Sequence, residues 1–113
     1  METDMQSPPK VTFRNMERSD AIEGHVMRRV EEVEKCFDRV IGCDVVIEAA
    51  QKRKLSGRAF KVHVALQIPG PDVVVTRLVA RSKAAENVNL AIHEAFSAAT
   101  RRLLARKDQM TGH

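Results

Sequence analysis

The apolar residues of this chain keep two different periods, and the change between them falls at Gly42. Before it, Ile22, Val26, Val30, Val33 and Phe37 recur at steps of four, four, three and four. That spacing places them on one stripe of an α-helix. Ser19 and Asp20 are N-cap and first-turn types, so the helix is expected to start there. It should run about five turns and end near Gly42. Beyond Gly42 the period is two, the signature of strands. A chain with both periods must bury a helix stripe against a sheet face.

The segment Cys43 to Ala50 sets Val45, Ile47 and Ala49 on one side, with Asp44, Val46 and Glu48 on the other. The next run is cleaner: Phe60, Val62, Val64, Leu66 and Ile68 point inward, and Lys61, His63 and Gln67 outward. Between them lies the basic loop 51–58, with Lys52, Arg53, Lys54 and Arg58 around a Ser56-Gly57 turn signal. Pro69-Gly70-Pro71-Asp72 forms a second turn before a β-branched run, Val73 to Arg81. The three runs predict an antiparallel meander. Ahead of the first helix, Lys10 to Arg14 alternates as a short strand with Val11 and Phe13 inward. A last helix is expected from Lys83 to about Lys107, burying Val88, Ile92, Ala95, Phe96, Ala99 and Leu103.

The predicted order is therefore β-α-β-β-β-α. The fold class is α+β, a two-layer sandwich with both helices on one face of a mostly antiparallel four-stranded sheet. With 113 residues there is room for one domain, expected at 10–108, between a flexible lead at 1–9 and a tail at 109–113. No stretch approaches the ~20 apolar residues of a membrane helix, and the acidic, proline-ended N-terminus is unlike a signal peptide. A cytoplasmic protein is expected.

Net charge is +4, but it is unevenly placed. Residues 1–50 hold seven basic and eleven acidic side chains, and residues 51–113 hold twelve and four. A basic half of that kind suits either a polyanion-facing surface or a solvated, solubilising one. The chain has no Trp, no Tyr and four Phe, which argues against readers of single-stranded nucleic acid that stack bases on aromatic platforms. Arg14, Lys61, His63 and Gln67 line the expected open sheet face, where a solvated row is the simpler account.

Catalysis and metal binding find little support. His25, His63 and His93 lie on three different elements without a metal-ligand spacing, and no metal or cofactor is expected. Cys36 and Cys43 suit small buried hydrophobes better than nucleophiles. Glu31, Glu32 and Glu34 belong to a solvated helix face, with Lys35 four residues after Glu31. There is no phosphate-binding glycine loop and no nucleophile elbow. The chain is not expected to be an enzyme.

The helix exit Val30-Glu31-Glu32-Val33-Glu34-Lys35-Cys36-Phe37-Asp38-Arg39-Val40 resembles the ribosome hibernation-promoting factors, the ribosome-associated inhibitor or sigma-factor modulation family. The strand Val45-Val46-Ile47-Glu48, the basic loop, the strand Lys61-Val62-His63-Val64, and Ala91-Ile92 before a basic helix end follow in that family's order. The likeness spans about Val11 to Asp108. It implies a fold similar to a double-stranded-RNA-binding domain and a non-catalytic, stress-related role. Such factors bind the small ribosomal subunit between head and body and keep idle ribosomes from translating. Where such proteins carry an Asp-x-Tyr-x-Ala-Ile-Asp-like motif, this chain has Asn87-Val88-Asn89-Leu90-Ala91-Ile92-His93. Its first helix is also acidic, with four basic and six acidic residues from Ser19 to Arg39. A short or divergent form is implied.

The expected partner is small-subunit rRNA, held by neutralising phosphates and matching shape. The expected contacts are Arg29, the loop residues Lys52, Arg53, Lys54 and Arg58, then Arg77, Arg81 and Lys83, and the helix end Arg101, Arg102, Arg106 and Lys107. Those last four also complement the helix dipole, so a solubilising role competes with binding. The alternative is a protein–protein or oligomer-forming module of the same fold with decayed ribosome contacts.

Overall fold

The computed structural model describes residues 8–50, 59–80 and 84–110. Its elements are β1 (Lys10–Arg14), α1 (Asp20–Cys36), β2 (Gly42–Ala50), β3 (Ala59–Gln67), β4 (Val73–Val79) and α2 (Ala84–Met110). The order is the β-α-β-β-β-α order expected. Ser19 caps α1 as its type predicts: its Oγ accepts from the Ile22 N–H at 3.2 Å, and its carbonyl accepts from Glu23 at 2.9 Å.

The strands form one four-stranded sheet in the order β1-β2-β3-β4. Its meander β2-β3-β4 is antiparallel, while β1 returns parallel to β2 across α1. One register row joins Val11, Val45, Val64 and Val75, and the next joins Phe13, Ile47, Val62 and Arg77. These rows face the helices. Val26, Val30 and Val33 of α1 and Val88, Ile92, Ala95, Phe96, Ala99 and Leu103 of α2 meet them in a single buried cluster. Both helices thus cover the same sheet face, and the two-period pattern explains why. At about 1.5–3 kcal/mol for each large apolar side chain, this cluster is the main source of stability.

The other face is open. Lys61 lies 3.7 Å from Glu48, Gln67 donates to Asp44 at 3.4 Å, and His63 Nδ1 sits 2.8 Å from Thr76 Oγ1. Cross-strand polar pairs of this kind contribute a few tenths of a kcal/mol each, roughly. Two exposed apolar residues interrupt them, Val74 and Leu78 on the edge strand β4.

Three ends differ from expectation. Helix α1 stops at Cys36 rather than near Gly42, because Phe37 turns extended (φ −152°, ψ 112°) to reach the core. Helix α2 continues to Met110, past Lys107, as no Gly or Pro intervenes to stop it. Strand β4 ends at Val79, two residues short of Arg81.

Candidate functional site

Helices α1 and α2 lie side by side and run in the same direction. His25 Nδ1 is 3.1 Å from Asn89 Oδ1 toward their N-terminal halves, and Lys107 Nζ donates to the Cys36 carbonyl at 3.1 Å near their C-terminal ends. Between these ties opens a cleft of about 320 Å³. Arg29, Glu32 and Cys36 line it from α1, and Phe96, Ser97, Thr100 and Arg101 from α2. Arg29 is largely enclosed; its Nη1 lies 3.0 Å from Glu32 Oε1, and its buried Nε has no hydrogen-bond partner. Arg101 is exposed at the opposite lip. Two guanidiniums and two hydroxyls therefore converge from separate helices, an arrangement of donors suited to an anion. Glu32 tempers it, because its carboxylate holds one of the two cations.

A second basic group sits at the end of α2. Successive helix positions point about 100° apart, so Arg101 faces α1 while Arg102 faces the sheet. Arg102 Nη1 donates to the Val74 carbonyl at 2.6 Å. One turn on, Arg106 donates from Nη1 to Pro71 at 2.7 Å and from Nη2 to Pro69 at 2.9 Å. The turn is shaped for this. Gly70 has φ +87°, and a Cβ there would stand 2.5 Å from Arg106 Nη2. Only glycine provides both that backbone conformation and that approach without strain. On β4 itself, Arg77 is half-buried on the helix-facing side, and its Nη1 donates to the Thr76 carbonyl at 3.0 Å.

The expected contact residues thus separate into groups. Arg29 and Arg101 share the interhelical cleft. Arg77, Arg102 and Arg106 gather along β4 and the turn before it, and Lys107 ties α2 to α1. Lys52, Arg53, Lys54, Arg58, Arg81 and Lys83 lie outside the described residues. Sequence reasoning passed over Ser97 and Thr100. Their signal was the helical spacing that sets Ser97 one turn before Arg101.

The two cysteines have separate environments. Burial pushes the Cys43 thiol from 9.0 up to about 12, with the Asp44 and Glu34 carboxylates adding to the shift. It stays protonated and unreactive at neutral pH. Cys36 is half-buried and lines the cleft. No group of three or more His, Cys, Asp or Glu side chains suited to a metal gathers among the described residues, and no described helix is long and apolar enough to cross a membrane.

This fold and its basic helical face define a class before any particular family. They are those of a small two-layer α+β domain whose paired helices carry basic side chains. Residues 10–111 match the family model for sigma 54 modulation protein / S30EA ribosomal protein, and the chain belongs to that family. Among solved structures it is similar to a ribosomal subunit interface protein from Coxiella burnetii, at 13% identity and a TM-score of 0.59, covering 87% of this chain and 99% of that one. It is also similar to the N-terminal domain of Protein Y from Thermus thermophilus, at 20% identity and a TM-score of 0.55, covering 81% and 93%. At those identities the likeness concerns the fold. Among curated proteins, none matches this sequence.

Proposed function

We propose that this protein is a cytoplasmic, hibernation-type translation inhibitor that binds small-subunit rRNA through the paired faces of α1 and α2. One observation carries the reading: Arg29 and Arg101, from different helices, converge with Ser97 and Thr100 on one solvent-open cleft. Phosphate oxygens are the ligand such donors fit. The basic loop 51–58 and the Arg81–Lys83 segment supply further positive charge. Arg77, Arg102, Arg106 and Lys107 raise the local potential while their donors serve main-chain carbonyls. Inhibition is steric, because a domain seated where messenger and transfer RNA bind excludes both. Membership of the S30EA ribosomal protein family and the likeness in fold to a ribosomal subunit interface protein support the ribosome as partner.

Cosedimentation with purified small subunits over a salt series tests this. The expected result is association at low salt that weakens as salt rises, with a slope of about 0.7–0.9 per phosphate neutralised. Absence from the small subunit at low salt would sink the reading. A salt-insensitive association would sink the phosphate mechanism alone.

A further inference from the structure

The outer edge of β4 combines exposed apolar side chains with a basic flank. Among the described residues, the sheet order leaves β4 with a neighbour strand on one side only. Alternation puts Val75 and Arg77 toward the helices and Val74, Thr76 and Leu78 on the open face. Val74 is 43% exposed and Leu78 56%, unusual for two large apolar side chains on an edge strand. On the helix-facing side the same edge is basic, through Arg77 and the α2 residues Arg102 and Arg106. Val74 and Thr76 are two residues apart, so their carbonyls lie on one side of the strand. Both accept from guanidiniums, Arg102 and Arg77 respectively, which marks them as the edge-facing acceptors. A cleft of about 390 Å³, lined in part by Val74, Arg102, Arg106 and Gln109, continues this edge toward the end of α2.

We propose that the β4 edge binds an extended protein segment of alternating acidic and apolar residues, added to the sheet as a further strand. The incoming N–H groups replace the guanidiniums on the Val74 and Thr76 carbonyls. The segment's carboxylates, on the side facing α2, take the released guanidiniums. Each arginine thereby exchanges a neutral acceptor for a charged one, which strengthens its hydrogen bonds. The intervening apolar side chains lie beside Val74 and Leu78, as cross-strand neighbours do. Charge complementarity selects an acidic partner, and the apolar row selects a peptide over a nucleic acid. An RNA backbone would meet the arginines but leave Val74, Leu78 and the strand's main chain unused. A second copy of β4 would set Arg77 and Arg102 against their own kind.

The probe is an end-blocked heptapeptide of alternating valine and glutamate, titrated against the full chain by fluorescence anisotropy. The comparison ligands are its lysine-for-glutamate counterpart and polyuridylate. The glutamate peptide is expected to bind at least about tenfold more tightly than the lysine peptide, for want of its charge-assisted contacts. The Val74, Thr76 and Leu78 amides should gain protection from hydrogen exchange on binding. Leu78→Glu, at an exposed position that leaves the core intact, should weaken peptide binding about tenfold and leave polyuridylate binding unchanged. Val74→Glu should do the same, and circular dichroism confirms that both variants fold. Equal binding of the two peptides, or no effect of either variant, overturns the proposal. So does finding that polyuridylate or a second copy of the chain, not the peptide, is what Leu78→Glu displaces. Loss of small-subunit binding bears on the rRNA reading alone, since the peptide assay contains no ribosome.

Discussion

Arg101 and Arg102 are neighbours in sequence and carry the same charge, yet they belong to different regions of the molecule. Arg101 opens onto the α1–α2 cleft, where no described residue holds its guanidinium. Arg102 begins a row, continued by Arg106 and Lys107, whose donors close on the main chain of β4, the β3–β4 turn and the end of α1. The first region presents charge outward; the second uses it to fasten the end of a long helix. Basic content alone does not reveal a binding surface. What separates the two arginines is whether the guanidinium already has an acceptor within its own chain, as Arg102 has in the Val74 carbonyl.

The largest expected effect of breaking that distinction lies in the fastening region. Arg106→Ala removes two hydrogen bonds from a charged donor and leaves the partly buried Pro69 carbonyl without that partner. A loss of about 1.5–3 kcal/mol in urea unfolding is expected, with a fall in the denaturation midpoint at constant slope. Gly70→Ala reaches the same contact from the other side, since its Cβ would meet Arg106 Nη2 and its φ is positive. It should cost about 1–2 kcal/mol. Neither change should alter the salt slope of small-subunit binding by more than a fraction of one phosphate contact. If Arg106→Ala left stability untouched and removed a full unit of slope, the division between the two regions would collapse.

In the cleft the balance is reversed. Arg101→Ala should leave stability within about 0.5 kcal/mol, as for other exposed sites. It should nonetheless weaken small-subunit binding by about fivefold to tenfold at low salt. Arg29 needs a gentler substitution because its stem is enclosed, so Arg29→Met keeps the packing and removes the charge. A similar loss of binding is expected. The double variant should lose more than either single one, measured by cosedimentation at several salt concentrations.

How much of this was legible beforehand depended on whether a residue's role follows from a period or from a meeting of distant segments. The stripe Ile22, Val26, Val30, Val33 and Phe37, the strand rows and the α2 face all follow from period, and all join the core or pack against it. The end of α1 was misplaced because Phe37 belongs to the stripe but reaches it with extended backbone. Periodicity records burial, not the local dihedral angles. The sorting of Arg101, Arg102 and Arg106 was not legible at all. It depends on how the turn at Gly70 and the edge of β4 lie against α2, contacts 28 and 37 residues apart in the chain. The charge asymmetry between the halves indicated a basic surface without saying which cations were already engaged.

A smaller effect sharpens the view of the cleft as a surface tuned by its own acid. Glu32 holds Arg29 at 3.0 Å while remaining mostly exposed. Such a pair adds little to stability, about 0–1 kcal/mol. Its larger consequence is to compete with any phosphate for the same guanidinium. Glu32→Gln should therefore raise small-subunit affinity about twofold to fivefold, with no more than a slight change in urea stability. A decrease in affinity would mean that Glu32 positions Arg29 for binding and does not compete with the ligand.

The finest test uses the cysteines, which sit on opposite sides of the same division between exposed cleft and closed interior. Cys43 is buried and its thiol is raised to about 12, so at pH 8 almost none of it is the reactive thiolate. Cys36 lines the cleft and is half-buried, so a thiol reagent reaches it without unfolding the core. Labelling of the native protein at pH 8 should therefore proceed at one site, Cys36, with Cys43 reacting only after denaturation. Bound small subunits should slow the Cys36 reaction several-fold, because an RNA backbone across Arg29 and Arg101 covers the cleft's mouth. Arg101→Ala should reduce that protection in step with its loss of affinity, whereas Arg106→Ala should preserve it at saturating ribosome concentration. If bound subunits left the Cys36 rate unchanged while still cosedimenting, the ribosome would be contacting another face, and the cleft would be a gap between helices with no role in binding.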